Sequence, residues 1–322
     1  MVLSDDLRVY IRHAWHVVEP STIYLENWHI DLIAEYLEAV TAGQIKRLLI
    51  NMPPRYAKST CVSIMWPTWV WTREGFPGMP HNPTLEGPGT KWMFASYADE
   101  LRTKHSLDRR KMLQSDWYKE RWPKPAQLTG DQNVKTLFTN SSSGQMFATT
   151  MTGAGTGLGG NYIVIDDPHK TKEESTSADV KAQVAVYGDT FATRHDDKKQ
   201  GVTVIVMQRI NDLDLSAHVL ATAEEEYVHL KIEAEATEHR SSVSRARFEG
   251  SRASRATFYG RRVKGRSRSA GRKRSWGSGN TQPNTSRTRS RRAARSFSAS
   301  GSAIASTAIP IPACRWAQSC AW

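Results

Sequence analysis

Three scarcities narrow the possibilities before any motif is read. Cysteine occurs only at Cys61, Cys314 and Cys320, too few for a disulfide framework and without zinc-ligand partners at the usual spacing. Cys61 reads as a small core residue. No run approaches the ~18 to 20 uninterrupted apolar residues of a membrane span, and Met1–Arg12 carries charges where a signal peptide needs its apolar stretch. The expected compartment is the cytoplasm. Acid is nearly missing from the C-terminal part, where residues 241–322 hold 16 Arg and 2 Lys against Glu249 alone.

That last scarcity explains the net charge of +12: residues 241–322 carry +17, which leaves −5 for residues 1–240. The basicity therefore marks no nucleic-acid surface in the folded part, where such a surface would have to be a local patch. The basic segment also has 17 Ser and no hydrophobic periodicity. Such a composition buries too little apolar surface to offset chain entropy, so residues 237–322 are expected to be a disordered tail.

What is present upstream is an alternation of helical and strand patterns within a chain that is 39% hydrophobic. Trp28–Val40 has apolar residues at helical spacing, and Arg47–Met52 (RLLINM) is a short apolar run broken by Pro53 and Pro54. Helical character resumes from Lys58. Trp92–Ser96 predicts a strand, Ala98–Leu113 a helix, and Val134–Phe138 and Gln145–Thr149 two short strands. Tyr162–Ile165 (YIVI) and Val202–Met207 (VTVIVM) predict buried strands, and Ser177–Phe191 and Asp212–Ala221 predict helices. The expected fold is α/β, a doubly wound, mostly parallel sheet flanked by helices.

Three strand ends carry chemistry. Met52-Pro53-Pro54-Arg55-Tyr56-Ala57-Lys58-Ser59 stands between a strand and a helix, as a phosphate-binding loop must. There Lys58 would neutralise the β- and γ-phosphates of a nucleotide and the Ser59 hydroxyl would bind Mg²⁺. Arg55 reads either as a surface arginine or, preferably, as a guanidinium that meets transition-state charge. A proline turn before an ordinary helix start has the same form.

Tyr162–Asp167 (YIVIDD) ends an apolar strand in two carboxylates, so that Asp166 could hold Mg²⁺ through water and Asp167 could orient or deprotonate an attacking water. A buried strand stopping at an Asp-Asp-Pro turn is the plainer alternative. Their pairing, a Lys-Ser loop followed roughly a hundred residues later by an acidic strand end, is what a P-loop nucleotidase requires. Val204–Arg209 brings Gln208 and Arg209 to the same sheet edge, where they could sense the γ-phosphate; a solvated strand terminus is the plainer alternative, and the better one without the other two motifs.

Gly155–Gly160 also matches the dinucleotide-binding G-x-G-x-x-G. A strand rather than a helix follows it, so Gly153–Gly160 is expected to be a mobile loop near the nucleotide. No pair among the 10 His, Trp28-His29 and Pro168-His169 included, has metal-ligand spacing, and they are expected to be structural.

Taken together, Tyr24–His29 (YLENWH), Pro53–Ser59, Ala95–Arg110, Ile163–Pro168 (IVIDDP) and Met207–Leu215 (MQRINDLDL) resemble the ordered motifs of the ATPase half of phage terminase large subunits, the motors that pump viral DNA into capsids. The resemblance covers about residues 20–236. It implies a RecA/ASCE-like P-loop ATPase domain over residues 1–236 and binding of ATP with Mg²⁺. Tyr24 and Trp28 would lie on the adenine side, and Pro54, Arg55, Tyr56, Ala57, Lys58, Ser59 and Thr60 around the phosphates. Ser59 and Asp166 would stand at the metal, Asp167 would be the catalytic carboxylate, and Gln208 and Arg209 would couple hydrolysis to DNA movement.

As partners the resemblance implies double-stranded DNA, a terminase small subunit, a portal protein and further copies of the chain in a homo-oligomer. The chain departs from the family pattern at Ala57, where glycine is usual, and at Asp167, one methylene shorter than the frequent glutamate. It departs most in its tail, because a two-metal nuclease cannot be built from Glu249 alone. The expectation is a change of reading frame near Thr237–Ser241 and loss of nuclease activity. A helicase-like DNA-stimulated ATPase, a basic nucleic-acid-binding protein and an inactive prophage remnant are the competing readings.

Overall fold

A computed structural model describes residues 3–75, 81–125, 127–153, 157–170, 177–222 and 227–234. The expected tail (237–322) and the proposed frame change at Thr237–Ser241 lie outside the described residues, as do Cys314, Cys320 and Glu249.

In chain order the elements begin with α1 (Leu7–Val18), α2 (Trp28–Thr41) and β1 (Arg47–Asn51). A π-helical turn (Thr60–Met65), α3 (Trp66–Val70), β2 (Lys91–Ser96), α4 (Asp99–Gln114) and α5 (Asp116–Lys119) follow. Next come β3 (Leu128–Val134), β4 (Leu137–Asn140), β5 (Gln145–Thr150) and β6 (Tyr162–Asp166). The described chain closes with α6 (Ser177–Asp189), a 3₁₀ turn (Phe191–Thr193), β7 (Val202–Met207), α7 (Leu215–Thr222) and β8 (Val228–Lys231).

The strands form one eight-stranded sheet in the order β3-β4-β5-β2-β6-β7-β1-β8. From β5 to β8 every pairing is parallel, and β3 and β4 attach as an antiparallel edge. One strand, β7, separates the loop-bearing β1 from the carboxylate-bearing β6. Asn51 pairs with Met207 and Asp166 with Val206, so the chain segments leaving β1, β6 and β7 emerge at one edge.

Side chains alternate between two cores, as strand geometry demands. Leu48, Ile50, Phe94, Val164, Val204 and Val206 join α1, α2 and α3 on one face. Leu49, Met93, Ile163, Ile165, Ile205 and Met207 meet Leu215, Val219 and Phe191 on the other. Both faces are covered, which is why these strands read as continuous apolar runs. On the first face Trp66 meets Trp92 edge-on at 4.8 Å, and Trp92 stacks on Tyr162 at 4.0 Å.

Three expectations are corrected. Val134–Phe138 is not a strand but the corner of the β3–β4 hairpin, because Lys135 and Thr136 form the turn. The helix expected from Asp212 starts at Leu215, since the Asp214 carboxylate accepts the Ala217 N–H at 3.0 Å and caps it. The helix expected to reach Phe191 ends at Asp189, with Phe191 in the 3₁₀ turn. The segment expected to be a loop at Gly153–Gly160 leaves the edge where β5, β6 and β1 end and returns to the start of β6 at the other edge. There a Cβ on Gly160 would lie 2.7 Å from the Lys91 carbonyl oxygen; residues 154–156 lie outside the described residues. Among the described residues no helix is long and apolar enough to cross a membrane.

Candidate active site

The segment leaving β1 is held to its neighbour by the Met52 N–H, which donates to the Met207 carbonyl at 3.2 Å. It then turns through two left-handed residues, Arg55 (φ 67°) and Ala57 (φ 57°), with Tyr56 between them. For a residue with a Cβ this conformation costs roughly 1–2 kcal/mol, and such strain concentrates at functional sites. Alternating handedness also turns successive N–H groups into a concave, anion-binding arrangement. Pro54, Arg55 and Tyr56 are exposed, Thr60 is half-buried, and helical structure begins at Lys58.

Lys58 is buried, and its Nζ donates to Asp167 Oδ2 at 2.7 Å. Ser59 Oγ donates to Asp166 Oδ1 at 2.9 Å. The three motifs that the sequence singles out are thus in contact. Asp167 follows β6 in the left-handed region (φ 47°). It is pinned by its own N–H to Val206, by Tyr97 N–H to its carbonyl, and by the Gln208 backbone N–H to Oδ1 at 3.3 Å. Gln208 therefore touches Asp167 through its main chain. Arg209 is engaged elsewhere, with Nε on Asp214 Oδ2 at 2.9 Å and Nη2 on the Asn211 carbonyl at 3.1 Å.

Burial raises the pKa of both carboxyls. For Asp167 the neighbouring Asp166 charge adds to the rise, while Lys58 opposes it. At Asp166 the hydroxyls of Ser63 and Ser59 and the charges of Lys58 and Arg109 pull the other way.

On the expected adenine side, Tyr24 lies edge-on to Trp15 at 5.4 Å, and burial lifts its phenol to about 12. Trp28 meets His29 at 5.9 Å, and His29 meets Tyr56 at 5.6 Å. The start of α2 and the loop are therefore joined through His29. Desolvation lowers the pKa of His29. Cys61 is buried, and its thiol is pushed up to about 12, in keeping with an inert core residue.

Three participants escape a reading of the sequence, and a fourth, His169, has the structural role expected of it. Ser63 Oγ donates to Asp166 Oδ2 at 2.6 Å. His105 on α4 places Nδ1 3.5 Å from the same oxygen. Burial drops its pKa to about 3, so the ring is neutral and the contact is no ion pair. Arg109, also on α4, is fully buried, with a pKa lowered by desolvation to about 9. His169 accepts the Leu215 N–H at Nε2 (2.9 Å) and meets Gln183 Oε1 through Nδ1. That ties the segment after β6 to both α6 and α7.

Among the described residues no group of three or more His, Cys, Asp or Glu is gathered as a metal cage. Magnesium needs none, since it keeps waters and takes one or two protein oxygens beside substrate phosphates. The Ser59 hydroxyl and the Asp166 carboxylate, in contact at one edge, are hard oxygen donors of that kind.

The site and the sheet order define an α/β protein whose mostly parallel sheet sets a lysine- and serine-bearing loop against two carboxylates. Among solved structures the chain is similar to the HK97 bacteriophage large terminase, at 12% identity and a TM-score of 0.47, over 74% of this chain and 46% of that one. The chain thus spans less than half the length of that protein. No protein-family profile matches the chain, and no curated protein does.

Proposed function

We propose that this chain is the ATP-hydrolysing motor domain of a DNA-packaging terminase large subunit, working with Mg²⁺. The observation that carries the proposal is the meeting of Lys58 and Ser59 with Asp167 and Asp166 at the edge where β1 and β6 end. In this reading Lys58 leaves Asp167 for the β- and γ-phosphate oxygens, and the loop N–H groups cradle them. Asp167, released, accepts the proton of a water that attacks the γ-phosphorus. The bond to the β-phosphate oxygen then breaks and ADP departs.

Ser59 and Asp166 would hold Mg²⁺, which when bound neutralises phosphate charge. Arg55, exposed on the loop, is placed by this reading against transition-state charge. Tyr24 and Trp28 take the adenine side. Gln208, bonded to Asp167, and Arg209, bonded to Asp214, carry the state of the site into the Asn211–Leu215 segment, and so to double-stranded DNA. The proposal extends to assembly with further copies of the chain, a small subunit and a portal in the host cytoplasm.

The test is phosphate release by the full-length chain, with and without Mg²⁺ and double-stranded DNA. Mg²⁺-dependent hydrolysis stimulated by DNA, and lowered about 10²- to 10⁴-fold by Lys58→Ala and by Asp167→Ala, is expected. A folded chain that neither binds nor hydrolyses ATP overturns the proposal.

A further inference from the structure

Asp166 is almost wholly buried, and both of its carboxylate oxygens are taken by hydroxyls of one helix, Ser59 on Oδ1 and Ser63 on Oδ2. Only the first belongs to the loop motif. The second is placed by an unusual chain of causes. In an α-helix the Ser63 carbonyl would accept the N–H of residue 67, but residue 67 is proline, which lacks that N–H and crowds the carbonyl four residues back.

The helix is widened here. The Trp66 N–H reaches back five residues to the Cys61 carbonyl, and the Ser63 carbonyl takes Arg109 Nη1 at 2.7 Å. Arg109 is wholly buried, its guanidinium lies 3.6 Å from the centroid of the Phe94 ring, and its Nε and Nη2 have no hydrogen-bond partner among the described residues. A buried arginine thus makes its hydrogen bond to the carbonyl that Pro67 would leave open in an α-helix. π-Helical turns of this sort recur at functional sites.

We propose that Ser63 is a positioning residue for the Mg²⁺ site: set by Pro67 and Arg109, its hydroxyl fixes Asp166 Oδ2 so that Oδ1, beside the Ser59 hydroxyl, faces the ion. The inference rests on the nucleotide-binding reading above. A carboxylate bonded at both oxygens cannot rotate about its Cβ–Cγ bond. Without the Ser63 hydroxyl, Oδ2 has no hydrogen bond among the described residues, the His105 ring standing off at 3.5 Å, and the orientation of Oδ1 is lost. Groups that orient a metal ligand without touching the metal commonly govern affinity for it.

The experiment titrates a fluorescent ATP analogue into the full-length chain, in EDTA and across a range of Mg²⁺ concentrations, for wild type, Ser63→Ala, Ser63→Thr and Ser59→Ala. Ser63→Ala is expected to keep its metal-free affinity while the Mg²⁺ concentration for half of the affinity gain rises about 10- to 100-fold. Ser63→Thr, which retains the hydroxyl, is expected to behave as wild type, and Ser59→Ala to lose the Mg²⁺ response as well. A Ser63→Ala chain with the wild-type Mg²⁺ response overturns the inference. So does one whose metal-free binding falls in parallel, because Ser63 would then be supporting the fold rather than the metal ligand. A wild-type chain that binds no nucleotide under either condition is a different failure, that of the nucleotide reading itself.

Discussion

Lys58 and Asp167 stand 109 residues apart in the chain and 2.7 Å apart in the fold. The ammonium is 6% exposed and the carboxylate 26%, so the pair lies largely out of water, where each partner compensates the other. In the proposed function a nucleotide must win the lysine from the aspartate. Asp167→Asn removes the competing charge, and is expected to tighten ATP binding about tenfold, or ~1.4 kcal/mol. The same change removes the proposed proton acceptor, so turnover should fall about 10²- to 10⁴-fold. Nucleotide titration and phosphate release on one preparation separate the two effects; binding and turnover falling together would contradict this account.

Ala57 holds a left-handed backbone conformation, with φ 57°, where its Cβ faces a crowded carbonyl. Ala57→Gly relieves that strain but enlarges the freedom of the unfolded chain, and the two effects nearly cancel, to within about 1 kcal/mol. The gain should appear instead in nucleotide affinity, because the backbone can approach phosphate more closely. Calorimetric titration against a thermal melt distinguishes them, and an unaltered affinity would place the phosphates elsewhere.

Glu38 on α2 accepts the Leu7 N–H at 2.6 Å, and burial pushes its carboxyl up to about 7 from an ordinary 4.5. A folded pKa above the unfolded one means that the folded chain holds the extra proton. The stabilising contribution is therefore complete below about pH 4.5 and is lost as pH rises to about 7. Glu38→Gln keeps an acceptor for Leu7 and should stabilise the chain at pH 8 by something on the order of 1–3 kcal/mol. The advantage should shrink toward pH 5. Melting curves across that range would refute the assignment if the difference were independent of pH.

Asp214 is fully buried, and its carboxylate accepts Arg209 Nε, Ile210 N–H and Ala217 N–H, each within 3.0 Å. Asp214→Ala removes a helix cap and strands donors, which should cost about 2–4 kcal/mol. Asp214→Asn should cost less. In urea denaturation, a loss under about 1 kcal/mol for the alanine variant would mean that water replaces the carboxylate without difficulty.

The central strands were legible because a strand covered on both faces must be apolar throughout, as in the RLLIN, YIVID and VTVIVM runs of β1, β6 and β7. Each is cut short by Pro or a polar pair at its end. The helix α1 had a readable pattern in Leu7, Tyr10, Ile11, Ala14, Val17 and Val18 behind the capping Asp6, yet no motif drew attention to it. By contrast β8 is four residues long and defined by its pairing with β1, and β3 (LTGDQNV) has no apolar alternation.

At the site, Lys58, Ser59, Asp166 and Asp167 could be nominated because they end recognisable elements. Arg109 could not. It sits in DELRTKHSLDRRKMLQ, where a cation reads as part of a solvated face, and its burial arises from tertiary packing on Phe94. Ser63 had one local clue, a proline four residues further on.

The position of β7 has a metric consequence. Adjacent strands in a sheet are about 4.8 Å apart, so the strand between β1 and β6 sets their ends about 9.6 Å from one another. Neighbouring ends would leave no room for a phosphate chain between Lys58 and the two carboxylates, whereas an interval of two strands accommodates one. The Lys58–Asp167 contact bridges this interval like a crossbar in an open doorway. The width of the opening is set by hydrogen-bonded strands in the interior, so it should survive changes in loop length and sequence that would redraw the rest of the surface.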